Sequence, residues 1–226
     1  MTATTRPRRA RLDLSVYLVT DAALCGRRGV LEVVRGAVAG GATVVQLRDK
    51  AASARELFDL TVAAHEVVAG RATLVVDDRV DVYLAARAAG AAVDGVHIGQ
   101  GDLPVTQTRA LIGPHAVLGL TANTTGQLQL VDCLPPGTVD YLGVGVIRPT
   151  ATKPDHPAPL GVDGFARLTA QTGLPCVAIG GVGAGDAAAL RMAGAAGIAV
   201  VSAICAADDP EAASRELREA WTAAGA

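Results

Sequence analysis

Aromatic residues are scarce: one Trp, three Tyr and two Phe in 226 residues, 3% of the chain. A core built on large rings is excluded. Ala, Gly, Val and Leu must carry it, and such small side chains suit tightly packed layers of helix on strand. Charge is also in short supply, at 19% of residues with a net charge of −2, where an ordinary globular chain carries roughly 25%. That balance draws the whole molecule neither to nucleic acid nor to an anionic membrane. The four cysteines, Cys25, Cys133, Cys176 and Cys205, include no CxxC pair. Free thiols in a reducing, cytoplasmic compartment are expected, with Cys176 and Cys205 serving as small core residues. His65, His115 and His156 have no metal-ligand spacing, which argues against zinc. No apolar segment follows the basic start, so no secretory signal is read there. The uncharged stretch 192–207 is shorter than the ~20 residues that span a bilayer, and Gly and Ser interrupt it. Arg6, Arg8, Arg9 and Arg11 crowd residues 1–12, which are expected to form a solvated basic tail ahead of one catalytic domain at 13–226.

Against these absences stands a regular alternation. Short β-rich runs fall at 16–20, 43–47, 72–76, 95–98, 116–120, 141–144, 176–179 and 198–201. Helical spacing or helix stop signals mark 29–39, 54–68, 80–89, 105–112, 125–133, 162–171, 186–192 and 210–223. The strands are apolar almost throughout, as in a parallel sheet covered by helices. Eight strand–helix units predict an α/β fold closed as a (β/α)8 TIM barrel. An open doubly wound sheet is the alternative. It would need a GxGxxG loop after an early strand, and none occurs there.

In such a barrel the chemistry belongs at the carboxyl ends of the strands. Strand two ends in Gln46, Arg48 and Lys50, which share one side if the strand's alternation persists. Arg48 and Lys50 suit phosphate oxygens, although Asp49 offers Arg48 a local partner. Strand three ends in Asp77 and Asp78, and strand four leads to Gln100 and Asp102. Adjacent strands bring Asp78 and Asp102 near one another, a carboxylate pair that suits Mg²⁺ completed by phosphate oxygens and water. Asp77 and Asp78 also suit a helix cap. Strand five leads into Thr121, Asn123 and Thr124, groups that orient a ring or a phosphate, or cap the next helix. The long loop after strand six carries Arg148, Thr150, Thr152, Lys153 and Asp155, a composition suited to closing over substrate. Gly180, Gly181 and Gly183 follow strand seven, and Val201 and Ser202 end strand eight. Backbone N–H groups there, and at a short helix after strand eight, make a phosphate cup. His97, inside an apolar strand, reads as a satisfied core histidine.

These residues resemble the thiamine-phosphate synthase family, also called thiamine-phosphate pyrophosphorylase. The resemblance runs from Tyr17 to Pro210 through YLVTD, VVQLRDK, DDRVD, GVHIGQGDLP, LGLTANT, YLGVG with PTATKPD, VAIGGV and GIAVVSAI, in register. It implies a (β/α)8 barrel, usually a homodimer, whose partners are two phosphorylated small molecules. Such an enzyme joins 4-amino-2-methyl-5-hydroxymethylpyrimidine diphosphate to 4-methyl-5-(2-hydroxyethyl)thiazole phosphate, giving thiamine phosphate and pyrophosphate. By resemblance Gln46, Arg48 and Lys50 face the pyrimidine diphosphate, with Thr121 beside it, and Asp78 and Asp102 hold Mg²⁺. Thr150 and Thr152 contact the thiazole phosphate, Lys153 holds the leaving diphosphate, and Gly181, Val201 and Ser202 form the thiazole-phosphate cup.

The chain departs from the family at Asp77, where asparagine is usual, and at Gly101, where an acidic residue is usual. Asn123 replaces a common histidine, and Val146 and Arg148 replace a proline and an aromatic residue. The segment 85–92 is also longer. Asp77 matters most, because a carboxylate cannot donate a hydrogen bond unless protonated. Arg148 is expected to add a phosphate contact. Two alternatives share the phosphate cup: a thiazole tautomerase, which has less need of Lys50, Asp78, Asp102 and Lys153, and a barrel that binds thiazole phosphate or thiamine phosphate without turnover.

Overall fold

The computed structural model describes residues 12–150 and 158–225. Eight parallel strands close into one barrel in chain order: β1 Val16–Val19, β2 Val44–Leu47, β3 Thr73–Asp77, β4 Gly95–Ile98, β5 Val117–Thr121, β6 Tyr141–Gly145, β7 Cys176–Ile179 and β8 Ala195–Val200. The helices are α1 Ala22–Cys25, α2 Val30–Ala39, α3 Ala54–Val68, α4 Val80–Ala88, α5 Val105–Ile112, α6 Thr125–Asp132, α7 Gly161–Thr169, α8 Ala187–Met192, α9 Ser202–Cys205 and α10 Pro210–Ala223. The expected (β/α)8 barrel is the fold observed. β3 runs one residue further than its apolar run, through Asp77, and β8 begins at Ala195. The four residues of α1 are too few for periodicity to register; the helix forms because the Asp21 side chain accepts the Leu24 N–H at 3.0 Å.

Two apolar layers hold the barrel. The outer one lies between strands and helices and buries Leu18, Leu47, Leu74, Ile98, Leu118 and Leu142 on the strands against Val34, Leu57 and Phe165 on the helices. The inner one fills the barrel with Tyr17, Val44, Val75, Val117, Tyr141 and Val177. Each fully buried Val, Leu or Phe contributes roughly 1.5–3 kcal/mol, which is how a core of small side chains stays stable. α10 packs directly on α2. A Cβ on Gly40 would collide with the Glu211 carbonyl, and Ser214 Oγ donates to the Ala37 carbonyl at 2.8 Å. Side-chain caps fix helix starts: Ser53 with Glu56 in a capping box for α3, Thr124 for α6, and Asp209 ahead of Pro210 for α10. Neither Asp77 nor Asp78 is the N-cap of α4; that position is Arg79, which makes no side-chain cap hydrogen bond.

Cys25, Cys176 and Cys205 are buried and Cys133 is exposed, all as free thiols. No helix among the described residues is long and apolar enough to cross a membrane. Of the basic segment 1–12, only Leu12 lies within the described residues.

At the amino-terminal end of the barrel an ion pair ties α5 to the residue before β6. Arg109 donates to Asp140 at 2.8 Å and to the carbonyls of Thr138, Gly113 and Ala116, while Asp140 also accepts the Leu118 N–H at 2.8 Å. Both side chains are largely buried. Replacing Asp140 by Ala leaves a buried guanidinium without its counter-charge, so Asp140→Ala is expected to lose about 3–5 kcal/mol in denaturant unfolding. The variant should keep its steady-state constants where folded, because the pair sits at the opposite end of the barrel from the carboxyl ends of the strands.

Candidate active site

At the carboxyl ends of the strands the barrel opens into a cavity of 1230 Å³. The alternation of β2 sends Gln46 into it, and Arg48 and Lys50 follow at spacings of two. Thr20 holds the β2 exit in place: its Oγ accepts the Arg48 N–H at 2.9 Å and donates to the Arg48 carbonyl at 3.2 Å. Asp77 follows Val75 on the inner face of β3. Strict alternation would turn Asp78 outward, but it adopts φ +58°, a left-handed conformation that Asp tolerates better than most residues. Its carboxylate thereby joins Asp77 at the cavity wall.

Cations and carboxylates interlock there. Lys50 Nζ bonds the Asp78 carboxylate and lies 3.4 Å from Asp77, and Arg48 Nε lies 3.5 Å from Asp77. Arg48 also reaches Asp21 at 3.9 Å. Asp49, the partner suggested by its position next to Arg48, instead accepts the N–H groups of Ala51 and Ala52 and so stabilises the turn after β2. Asp102 faces Asp78 across the cavity wall, and its Oδ2 accepts the Gly99 N–H at 2.7 Å. Burial and the Asp78 carboxyl push the Asp102 pKa up. Burial, then the Asp78 charge, raise Asp77 to about 7, outweighing Lys50 and Arg48. Lys50 is raised despite its partial burial, because Asp78 and Asp77 favour its charged form.

Beneath this cluster the barrel carries a polar floor. Gln46 Nε2 donates to Tyr17 Oη at 2.7 Å, and the Tyr17 and Tyr141 hydroxyls lie 2.6 Å apart. His97 Nδ1 is 3.0 Å from Tyr141 Oη, and His97 Nε2 is 3.0 Å from Thr121 Oγ1. Burial lowers the His97 pKa to about 4, so the ring is neutral. His97 is a satisfied core histidine as expected, and it also reaches a cavity residue. Tyr17 and Tyr141 were missed by sequence reasoning. Their available signal was a hydroxyl-bearing ring at an inward position of a strand whose end is polar.

The opposite wall is backbone. Gly180 and Gly181 take φ +97° and +65°. A Cβ on Gly181 would lie 2.8 Å from the Pro149 carbonyl oxygen and 2.9 Å from Arg148 Cβ, so only glycine fits. Gly181, Val201 and Ser202 line the cavity, as do Thr150, Thr121 and Asn123. Asn123 ties β5 to β6, its Oδ1 accepting the Gly145 N–H at 2.9 Å. Arg148 does not line the cavity; it pairs with Asp186 at 2.5 Å, and Asp186 also accepts the Gly183 N–H at 3.0 Å. Arg148, expected to add a phosphate contact, here faces Asp186 rather than the cavity. Of the sequence-predicted strand-end residues, Gln46, Arg48, Lys50, Asp77, Asp78, Gln100, Asp102, Thr121, Asn123, Thr124, Thr150, Gly180, Gly181, Gly183, Val201 and Ser202 meet at this one cavity. Thr152 and Lys153 lie outside the described residues, as does Asp155.

A closed barrel with charged strand ends around one mouth, facing a glycine-lined backbone wall, defines a (β/α)8 enzyme site suited to anionic ligands. The Thiamine monophosphate synthase family profile matches residues 16–204. The thiamine-phosphate synthase of Psychrobacter sp. (strain PRwf-1) is 48% identical over 204 residues, covering 90% of this chain and 93% of its own. That of Laribacter hongkongensis (strain HLHK9) is 48% identical over 208 residues, covering 91% and 94%. The solved thiamine phosphate pyrophosphorylase of Pyrococcus furiosus superposes with a TM-score of 0.82 at 31% identity, covering 95% of this chain and 98% of that one. The chain belongs to the thiamine-phosphate synthase family.

The raised Asp77 carboxyl sets a pH dependence. Its folded pKa lies above its unfolded one, so its contribution to stability is complete below about 4 and is lost as pH rises through about 7. In metal-free protein, Asp77→Asn is expected to lack this loss. It should melt a few degrees above the parent at pH 8, at roughly 2–4 °C per kcal/mol, with the gap closing towards pH 5. Parallel melting profiles from pH 5 to 8 would exclude the raised carboxyl.

Proposed function

We propose that the protein is a thiamine-phosphate synthase. It joins 4-amino-2-methyl-5-hydroxymethylpyrimidine diphosphate to 4-methyl-5-(2-hydroxyethyl)thiazole phosphate, giving thiamine phosphate and pyrophosphate. The observation that carries this reading is one cavity with two complementary walls. Cations and a carboxylate pair come from β2, β3 and β4, and a glycine-rich backbone comes from the ends of β7 and β8. Two anionic substrates with one departing diphosphate need such a division. An isomerase acting on the thiazole alone would leave the Lys50, Asp78 and Asp102 group without work.

In this reading Gln46, Arg48 and Lys50 hold the pyrimidine diphosphate, with Asp77 and Asn123 bordering it. Thr150, Thr152, Gly181, Val201 and Ser202 hold the thiazole phosphate. Asp78 and Asp102 fit Mg²⁺: both are hard oxygen donors, they face one another, and Asp102 carries a raised pKa that a cation between them would reverse. Among the described residues no third His, Cys, Asp or Glu joins them to make a full cage, which leaves room for substrate oxygens. Bound there, Mg²⁺ supplies Lewis-acid charge to the leaving diphosphate.

The aminopyrimidine pushes electrons towards its methylene carbon, the C–O bond breaks, and diphosphate departs with the bonding pair. Lys50, Arg48 and Lys153 offset the charge it gathers. The thiazole nitrogen then donates its lone pair to the carbon. No protein nucleophile is needed; charge stabilisation and close placement of the nitrogen do the catalysis. Free thiols and the small phosphorylated substrates support a cytoplasmic enzyme, and the family resemblance supports a homodimer.

Supplying both substrates with Mg²⁺ should give thiamine phosphate and pyrophosphate in equal amounts, and omitting any one component should abolish both. Thiazole isomerisation without the pyrimidine, or binding without products, would replace this reading. Asp102→Ala should cut turnover on the order of 10²-fold, the scale of one lost contact to developing charge, and shift the Mg²⁺ titration to higher concentration. Lys153→Ala should lower kcat on the order of 10²-fold with little change in KM. An unchanged kcat excludes Lys153 from diphosphate departure.

A further inference from the structure

Two glycines in consecutive strands open the centre of the barrel for a row of polar side chains. A Cβ on Gly119 would collide with both Tyr141 and His97, and one on Gly143 would sit 3.1 Å from His97 Cε1. The space so made is filled by Gln46, Tyr17, Tyr141, His97 and Thr121, linked end to end at 2.6–3.0 Å. No buried polar side-chain atom among the described residues is left without a partner.

Counting protons gives this row a direction. A phenol has one proton, and a neutral imidazole has one N–H and one acceptor nitrogen. Tyr17 accepts from Gln46, and its other hydrogen-bond partner among the described residues is Tyr141, so its own proton points there. Tyr141 accepts it and donates to His97 Nδ1. His97 then carries its proton on Nε2 and donates to Thr121 Oγ1. The Thr121 hydroxyl proton is left to point into the cavity that Thr121 lines. Burial keeps the imidazole neutral, with a pKa of about 4, so the direction does not change near neutral pH. A protonated ring would donate at both ends and reverse it.

We propose that Tyr141 and His97 are positioning residues that hold Thr121 as a hydrogen-bond donor to a lone pair of the bound pyrimidine diphosphate. The row acts through Thr121 and touches no reacting atom itself. This rests on the function proposed above; the tautomer that underlies it does not.

Nitrogen NMR of histidine-labelled protein, with the His97 signals assigned by comparison with His97→Gln, reads the tautomer without substrate. Protonated Nε2 with bare Nδ1 is expected; protonated Nδ1 overturns the proposal. In the kinetic arm, Tyr141→Phe should lower kcat about tenfold, the scale of one net hydrogen bond, and should lose the single tautomer. Thr121→Val should lower kcat at least as much. Tyr141→Phe combined with Thr121→Val should be no slower than Thr121→Val alone, since both act through one hydroxyl. Thr121→Ser should keep the hydroxyl and restore sensitivity to Tyr141→Phe. Losses that multiply in the double variant would reduce Tyr141 to a packing role and overturn the proposal. If Tyr141→Phe does not fold, the tautomer of the unaltered protein decides alone. Absent turnover with Nε2 protonated would reject the catalytic reading and with it the substrate contact, while keeping the direction of the row.

Discussion

Hydrogen bonding between β1 and β8, with Tyr17 opposite Ala199 and Leu18 opposite Val200, converts a ribbon of eight strands into a ring. Closure brings the start of the chain beside its end: Arg218 on α10 bonds Asp13 and Ser15, and the Cys205 thiol reaches the Val19 carbonyl. It also places Gln46 and Ser202, far apart in sequence, at one mouth. An open sheet with the same strands would leave the β2 cations and the β8 backbone at distant edges. Small core side chains belong to this constraint too, since Gly40 and Ser214 let α10 seat on α2 and complete the outer ring.

Around the mouth, charge is arranged as a mesh of opposites. Lys50 and Arg48 each contact Asp77, and Lys50 contacts Asp78 as well. Two cations held between carboxylates are pre-positioned and partly neutralised, and any anion that binds them must compete with those carboxylates. Asp77 sharpens that competition, because asparagine at the same place would bring no charge. Burial and the Asp78 charge shift its carboxyl towards the protonated form, which donates a hydrogen bond as asparagine does.

The eight-unit fold was legible because each strand is an apolar run and the early helices carry their own stops, at Gly40, Gly70 and Gly90. The polar strand ends were legible for the same reason: Gln46, Asp77 and Thr121 stand out against apolar neighbours. Three things were not. Tyr17 and Tyr141 pass for apolar residues within VYLV and YLGVG, and only barrel closure shows their hydroxyls meeting. The true partner of Arg48 is set by the packing of three strand ends, whereas the neighbour Asp49 serves its own turn. Arg148 reads as a phosphate ligand by composition, and only the fold supplies Asp186 to occupy it.

That last pairing has a mechanical meaning. Asp186 holds the guanidinium of the segment after β6 with one oxygen and the Gly183 amide beyond β7 with the other. One carboxylate thus rivets the stretch bearing Thr150 to the glycine turn across from it. A shift of either stretch would therefore be felt by the other through that one side chain.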